Sequence, residues 1–291
     1  MTSSKWRKKF PRLPDGVWES RTMKQQIHLQ GKTLSYLDIG EGPVLLFGHS
    51  YLWDAGMWSA QVNRLSAHFR CLVPELWGHG GSGPIPDCEV YPLETLTDDL
   101  QAFVSLLELD CFTPIGLSVG GMWAPRLAQR LPGQVERLVI MDSDVGEESP
   151  ESQARFLGMI QMARQAGGFA PPLVEACLPF FFCDQTLEEK PEVVDAFRQQ
   201  LLQWPQENIR SVLALGKGIF TRPDFLPGLS EISCPTLVMC GEQDRSRPPA
   251  EAERMAERLP NATLEIISGA GHIPTVEQPD AVTRSLVDFL M

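Results

Sequence analysis

Ser118 sits in Gly116-Leu117-Ser118-Val119-Gly120-Gly121, a match to G-x-S-x-G. Taken alone the pattern is common, but here an apolar run, Phe112 to Gly116, precedes it and a helical pattern, Met122 to Leu131, follows. That strand–turn–helix setting is the one in which a serine hydroxyl is thrust out of a tight, strained turn as a nucleophile. The turn needs small residues on both sides of the serine, and Gly116, Gly120 and Gly121 supply them. The bland alternative is a glycine-rich turn with a solvent-facing serine.

A serine hydroxyl is a poor nucleophile at neutral pH and needs a base. Of the five histidines, His272 lies in Gly269-Ala270-Gly271-His272-Ile273-Pro274, just after the last apolar run of the chain. A loop at that strand end faces the same crevice as the serine turn. His28 falls in a hairpin pattern and His68 in a helical one; His49 and His79 sit in turns and read as structural, hydrogen-bonded histidines. The base needs a carboxylate to fix its tautomer and stabilise the imidazolium. Asp244, after the run Thr236–Cys240, gives the chain order Ser, Asp, His. Asp142 and Asp144, one strand earlier, are its rivals, and a turn-capping role is the alternative for Asp244. Acyl transfer also requires donors where negative charge develops. The Val119 N–H at the start of the following helix is one, and the Tyr51 N–H in Gly48-His49-Ser50-Tyr51 is the expected second.

These residues need a scaffold, and the rest of the chain reads as one. Short apolar runs at Val44–Phe47, Arg70–Pro74, Phe112–Gly116, Leu138–Met141, Thr236–Cys240 and Leu264–Ile267 alternate with helical patterns. This predicts an α/β fold, a mostly parallel sheet with helices on both faces. Gln26–Leu29 and Leu34–Leu37 alternate around Gly31 as a hairpin. Between about Gly146 and Ile232 the period is helical throughout, at Ala154–Ala166, Val194–Trp204 and Asn208–Leu215, with Pro171-Pro172, Pro191, Pro205 and Pro223 as breakers. The expected organisation is a basic arm over 1–24, a core over 25–145 and 233–291, and an all-helical cap over 146–232 at the sheet edge where ligands bind.

Composition narrows the partners. A formal net charge of -12 argues against nucleic acid, which demands a basic footprint. No apolar run approaches the roughly 18 residues of a membrane span. The cations Lys5, Arg7, Lys8, Lys9 and Arg12 are not followed by an apolar stretch of the secretory kind, and read as a solvated or loosely docked tail, with contact to an anionic surface or partner as the alternative. Seven cysteines without a CxxC fit a reduced, cytoplasmic setting. No Cys/His group has metal-ligand spacing and HExxH is missing, so neither metal nor cofactor is expected. Gly78-His79-Gly80-Gly81-Ser82-Gly83 satisfies GxGxxG, but Pro84 and Pro86 follow at once and no helix opens there to hold a pyrophosphate.

As a set, GHS at 48–50, ELWGHGGSG at 75–83, GLSVGGM at 116–122, GEQD at 241–244 and GAGHIPTVEQP at 269–279 resemble the α/β-hydrolase superfamily over about Gln26 to Leu290. GLSVGGM and the C-terminal half are similar to 3-oxoadipate enol-lactonases and related small esterases. Ser50 departs from the His-Gly common at the oxyanion loop, and Glu75 stands where Asp is usual. The resemblance implies a serine hydrolase acting on a small-molecule ester or lactone, with C–C hydrolysis, perhydrolysis or slow ligand sensing as alternatives on the same residues. Ser118, rather than an aspartate, speaks against dehalogenation. Trp53, Met122, Trp123 and Phe181 are the expected apolar contacts to substrate, although residues of these types are as often core.

Overall fold

The computed structural model describes residues 24–86 and 88–291. All of the basic arm except Lys24 lies outside the described residues. Eight strands, β1 (Gln25–Leu29), β2 (Lys32–Ile39), β3 (Val44–Gly48), β4 (Arg70–Pro74), β5 (Phe112–Leu117), β6 (Leu138–Met141), β7 (Thr236–Gly241) and β8 (Ala262–Ile267), form one sheet. Their order is β1-β2-β4-β3-β5-β6-β7-β8. β1 and β2 pair antiparallel, β2 and β4 likewise, and every later pairing is parallel. The β1–β2 turn is Gln30-Gly31, with φ of 51° and 78°, the left-handed pair that a two-residue hairpin needs to match strand twist. β5 is buried along its whole length, which is why its sequence is a continuous apolar run and not an alternation.

Helices α1 (Ser59–Leu65), α2 (Leu93–Leu106) and α3 (Val119–Arg130) link the first parallel strands, and α9 (Pro249–Ala256), α10 (Pro274–Glu277) and α11 (Pro279–Leu290) complete the core. α2 packs on α3 and α1 on α11. Between β6 and β7 the regular structure is all helical: α4 (Pro150–Ala166), α5 (Pro171–Phe181), α6 (Asp184–Glu189), α7 (Pro191–Leu202) and α8 (Ile209–Phe220), with 3-10 turns at Gln206–Asn208 and Leu226–Glu231. The sequence reading treats Pro171-Pro172 and Pro191 as interruptions and misses α5 and α6. In the structure these prolines occupy the first helical positions. There the missing N–H costs nothing, because a first-turn N–H has no intrahelical acceptor. One proline thus ends a helix and starts the next.

Both roots of the helical insertion are tied to the core by a buried ionic cluster. Glu148, just before α4, accepts from Arg222 Nη1 at 2.6 Å, just after α8, and also pairs with Arg247 of the loop after β7. Asp144, after β6, binds Arg254 Nη2 at 2.9 Å and Arg222 Nη2 at 3.4 Å. Burial alone would raise the Glu148 carboxyl, but the guanidinium of Arg247 and then that of Arg222 override it and hold the group at about 2. A carboxyl depressed on folding stabilises the protein above its unfolded value, and that contribution is lost as pH falls toward the folded value.

Glu148→Gln leaves two buried guanidinium groups short of a charge partner. It should destabilise the fold at neutral pH by about 3–5 kcal/mol. Urea unfolding at stepped pH should show the gap to wild type closing as pH falls from 4.5 toward 2. A gap that stays constant over that range would mean the carboxylate charge is not what ties the cap.

Candidate active site

Ser118 stands alone between β5 and α3 at φ 56° and ψ -117°, a conformation costly for any residue with a Cβ. The surrounding backbone enforces it. Ser118 N–H donates to the Met141 carbonyl at 2.9 Å, and Ser143 Oγ donates to the Ser118 carbonyl at 2.8 Å. The glycines are required by contact. A Cβ on Gly116 would fall on the Gly120 backbone, and one on Gly120 would fall on the Gly48 carbonyl. The end of β3, and the loop that follows it, therefore lies directly against the start of α3.

His272 donates from Nδ1 to Asp244 Oδ2 at 2.8 Å, and both side chains are buried. Asp244 Oδ1 accepts the N–H groups of Ser246 at 2.8 Å and Arg247 at 2.9 Å. Of its rivals, Asp144 is engaged by Arg254 and Arg222 in the cap-root cluster. Asp142 is close to the pair: one oxygen of Asp142, one of Asp244 and one ring nitrogen of His272 all lie within 4.8 Å of one another. Ser118 and His272 line the same cavity. No hydrogen bond joins the Ser118 hydroxyl to His272 among the described residues; such contacts often close only around substrate.

The loop after β3 is shaped by the two turn histidines. His49 Nδ1 donates to the Ser50 carbonyl at 2.8 Å while its Nε2 accepts the Leu76 N–H at 2.9 Å. His79 Nδ1 donates to the Trp77 carbonyl at 2.9 Å and its Nε2 accepts the Leu52 N–H at 3.2 Å. This pattern admits only the neutral ring, and burial depresses both histidines, His79 to about 3. Leu52 is held at φ 66°. Ser50 N–H points to Met57 Sδ at 3.3 Å. The N–H groups of Tyr51 and Val119 have no acceptor among the described residues, and Tyr51 and Ser118 line the same cavity. Glu75, at its unusual position, accepts the Gly81 N–H at 2.7 Å and pairs with Lys24. Gly78 and Gly80 turn at φ 72° and 51°, and the next helix begins only at Leu93.

The cavity over Ser118 encloses about 700 Å³ of atom-free space, mouth included. Tyr51 and Met122 line it from the core, and Phe156, Ile160, Phe180, Phe181, Leu213 and Phe220 from the cap. Its polar wall is confined to Ser50, Ser118, Ser246, Arg247 and His272 among larger apolar neighbours. Met122 and Phe181 are in the wall, and Trp53 and Trp123 are not among the residues that line it. Trp53 stacks on Phe197 with ring centres 4.5 Å apart and meets Phe181 edge-on, so it backs the wall from behind. Trp123 is 1% exposed and its ring fills the space beside Gly48. Trp123 turns its ring toward Gly48 and not into the cavity that its neighbour Met122 lines. The sequence reading missed Phe156 and Ile160 on α4 and Leu213 and Phe220 on α8. Their helical spacing is visible in the sequence, but it marks an inward face without telling core from pocket.

A model of the alpha/beta hydrolase fold matches residues 43–279. The chain is 26% identical over 266 residues to 3-oxoadipate enol-lactonase 2 of Acinetobacter baylyi, covering 90% of this chain and 95% of that one. Among solved structures it resembles a thermophilic esterase from Thermogutta terrifontis, with TM-score 0.83, 32% identity and coverage of 92% and 98%. The enol-lactonase from Burkholderia xenovorans superposes with TM-score 0.81 at 28% identity, covering 91% and 99%.

Trp123 and the two wall residues should separate cleanly on mutation. Trp123→Ala should cost about 3–5 kcal/mol of stability as a core truncation. Phe181→Ala and Met122→Ala should instead change KM and acyl preference. Denaturant unfolding alongside kinetics on two esters of different acyl length tests this; a Trp123→Phe protein with altered acyl preference and unaltered stability would place that ring at the substrate after all.

Proposed function

The chain belongs to the alpha/beta hydrolase fold family and is a hydrolase, and we propose that it cleaves esters or lactones of small, largely apolar acids through an acyl-enzyme on Ser118. The observation that carries this reading is the bond from His272 Nδ1 to Asp244 Oδ2 at the wall of an apolar cavity that Ser118 enters from a strained turn.

Ser118 Oγ attacks the carbonyl carbon and His272 Nε2 takes its proton. Asp244 holds the imidazole with Nδ1 protonated, so that Nε2 is the free base, and stabilises the imidazolium that forms. Negative charge on the tetrahedral oxygen is met by the Val119 and Tyr51 N–H groups, donors already oriented and lacking other acceptors. The imidazolium then protonates the leaving alcohol, which in a lactone remains attached to the acyl chain. Water, deprotonated by His272, attacks the acyl carbon and releases the acid and the serine hydroxyl. The neutral His49 and His79 keep the oxyanion loop in place with both ring nitrogens bonded, whereas His272 has Nδ1 bonded and lines the cavity. The names of the enol-lactonase and esterase relatives agree with this class of reaction.

Ser118→Ala should fold normally and lose on the order of 10⁴–10⁶ in kcat. A fluorophosphonate probe should label wild type and leave the variant unlabelled, and labelling of the variant would overturn the assignment of Ser118. On p-nitrophenyl esters, kcat/KM should rise about fourfold per added methylene over the first carbons, from about 0.8 kcal/mol of burial each, then fall once the cavity is filled. A response flat from acetate to octanoate would count against an enclosed apolar acyl site.

A further inference from the structure

Asp142 is a buried acid that the proposed mechanism does not use. It follows β6 with φ 41° and is 1% exposed. Its Oδ1 accepts the Gly241 N–H at 2.7 Å, and its Oδ2 is buried without a hydrogen-bond partner. The groups that face it are Asp244 and Cys240 from β7 and its loop, His272, and Glu277 of α10. Only the Cys240 thiol among them carries a proton near Asp142, and a thiol is a weak donor. Cys240 Sγ is directed at the Gly241 and Arg247 carbonyls, both at 3.3 Å. His272 Nδ1 donates to Asp244. Glu277 accepts the N–H groups of Gly271, Ile273 and Cys183.

Two ionised carboxylates cannot share a buried site a few ångströms across without a cation, so one member holds a proton. Asp244 accepts three N–H donors and is satisfied as the anion. Asp142 accepts one and has an oxygen left over. As a carboxylate oxygen that atom is an unsatisfied buried acceptor; as O–H it is a donor with Asp244 in reach. We propose that Asp142 is a positioning residue, a neutral carboxylic acid that donates its Oδ2 proton to Asp244 and so orients and tempers the carboxylate that holds His272. Burial, and next the charge of Asp244, push the Asp142 carboxyl well above the usual carboxylate range, in keeping with this placement of the proton. The inference rests on the Ser118–His272–Asp244 reading given above.

The consequence is a sign. A donor on Asp244 weakens its hold on the imidazolium, so removing the donor lets His272 keep its proton to higher pH. Removing a second negative charge would do the opposite. The test is the pH dependence of kcat/KM on one p-nitrophenyl ester for wild type, Asp142→Asn and Asp142→Ala, with Ser118→Ala as control. Asp142→Asn keeps a neutral donor, and should stay within about threefold of wild type with its acid limb unmoved. Asp142→Ala should move the acid limb to higher pH by about 0.5–1 unit. Infrared spectra at neutral pH should show a carboxylic-acid C=O band in wild type that Asp142→Asn lacks, a readout that stands even if Asp142→Ala does not fold. An acid limb moved to lower pH in either variant, an unmoved limb in a folded Asp142→Ala, or an identical infrared band in Asp142→Asn would overturn the proposal. Activity persisting in Ser118→Ala would instead overturn the triad reading beneath it.

Discussion

The contact between the Gly48 carbonyl and Gly120 sets the geometry of everything above the sheet. It brings the end of β3 against the first turn of α3 with no side chain between them. Because the contact is that close, the loop leaving β3 passes beside the residue that opens α3. Tyr51, in that loop, and Ser118, at the mouth of α3, thereby line one cavity although they are far apart in the chain. The strain at Ser118 is a local cost of about 1–3 kcal/mol for a residue held in so sparse a conformation. It is offset by the buried strands on either side and by the bonds from Ser118 N–H to Met141 and from Ser143 to the Ser118 carbonyl.

Electrostatics divides the molecule into two buried zones of different kinds. At the cap roots, three guanidinium groups meet Asp144, Glu148 and Glu251, and every charge there has a partner of opposite sign. Such clusters add little net stability over an apolar equivalent, but breaking one side of them is costly. They therefore define where the helical insertion leaves and rejoins the sheet. Around His272 the acids Asp142, Asp244 and Glu277 gather, and no carboxyl of the three pairs with a Lys or Arg side chain among the described residues. Backbone N–H groups satisfy two of these carboxyls, those of Asp244 and Glu277. The link between the zones is Arg247, whose N–H binds Asp244 and whose side chain binds Glu148.

Much of this was legible without coordinates, because the signals are local. Gly116-Leu117-Ser118-Val119-Gly120 announces a tight turn after a buried strand, since only small residues fit there, and the alternation of apolar runs with helical periods announces a parallel sheet. The long helical stretch after Met141 marks an insertion because it breaks that alternation. Boundaries were less legible. Pro171-Pro172 and Pro191 are ambiguous in sequence, as the same ring that ends a helix also fits the first turn of the next, and only the packing of α5 and α7 decides between the two.

By itself the sequence determined the residue types available for chemistry, the order in which Ser118, Asp244 and His272 occur, and the class of scaffold, because each of these follows from short-range pattern. Tertiary structure decided what depends on distance across the chain. It set Asp144 among arginines and Asp142 beside Asp244, a distinction invisible in Asp142-Ser143-Asp144, where the two acids differ only in which way each side chain leaves the strand end. It turned Trp123 into the packing beneath Gly48 and Met122 into cavity wall, a choice set by how α3 lies against β3. It also converted Phe156, Leu213 and Phe220 from an inward face of helices into the lining of the cavity at Ser118, since an apolar stripe reads the same whether it meets another side chain or an empty volume.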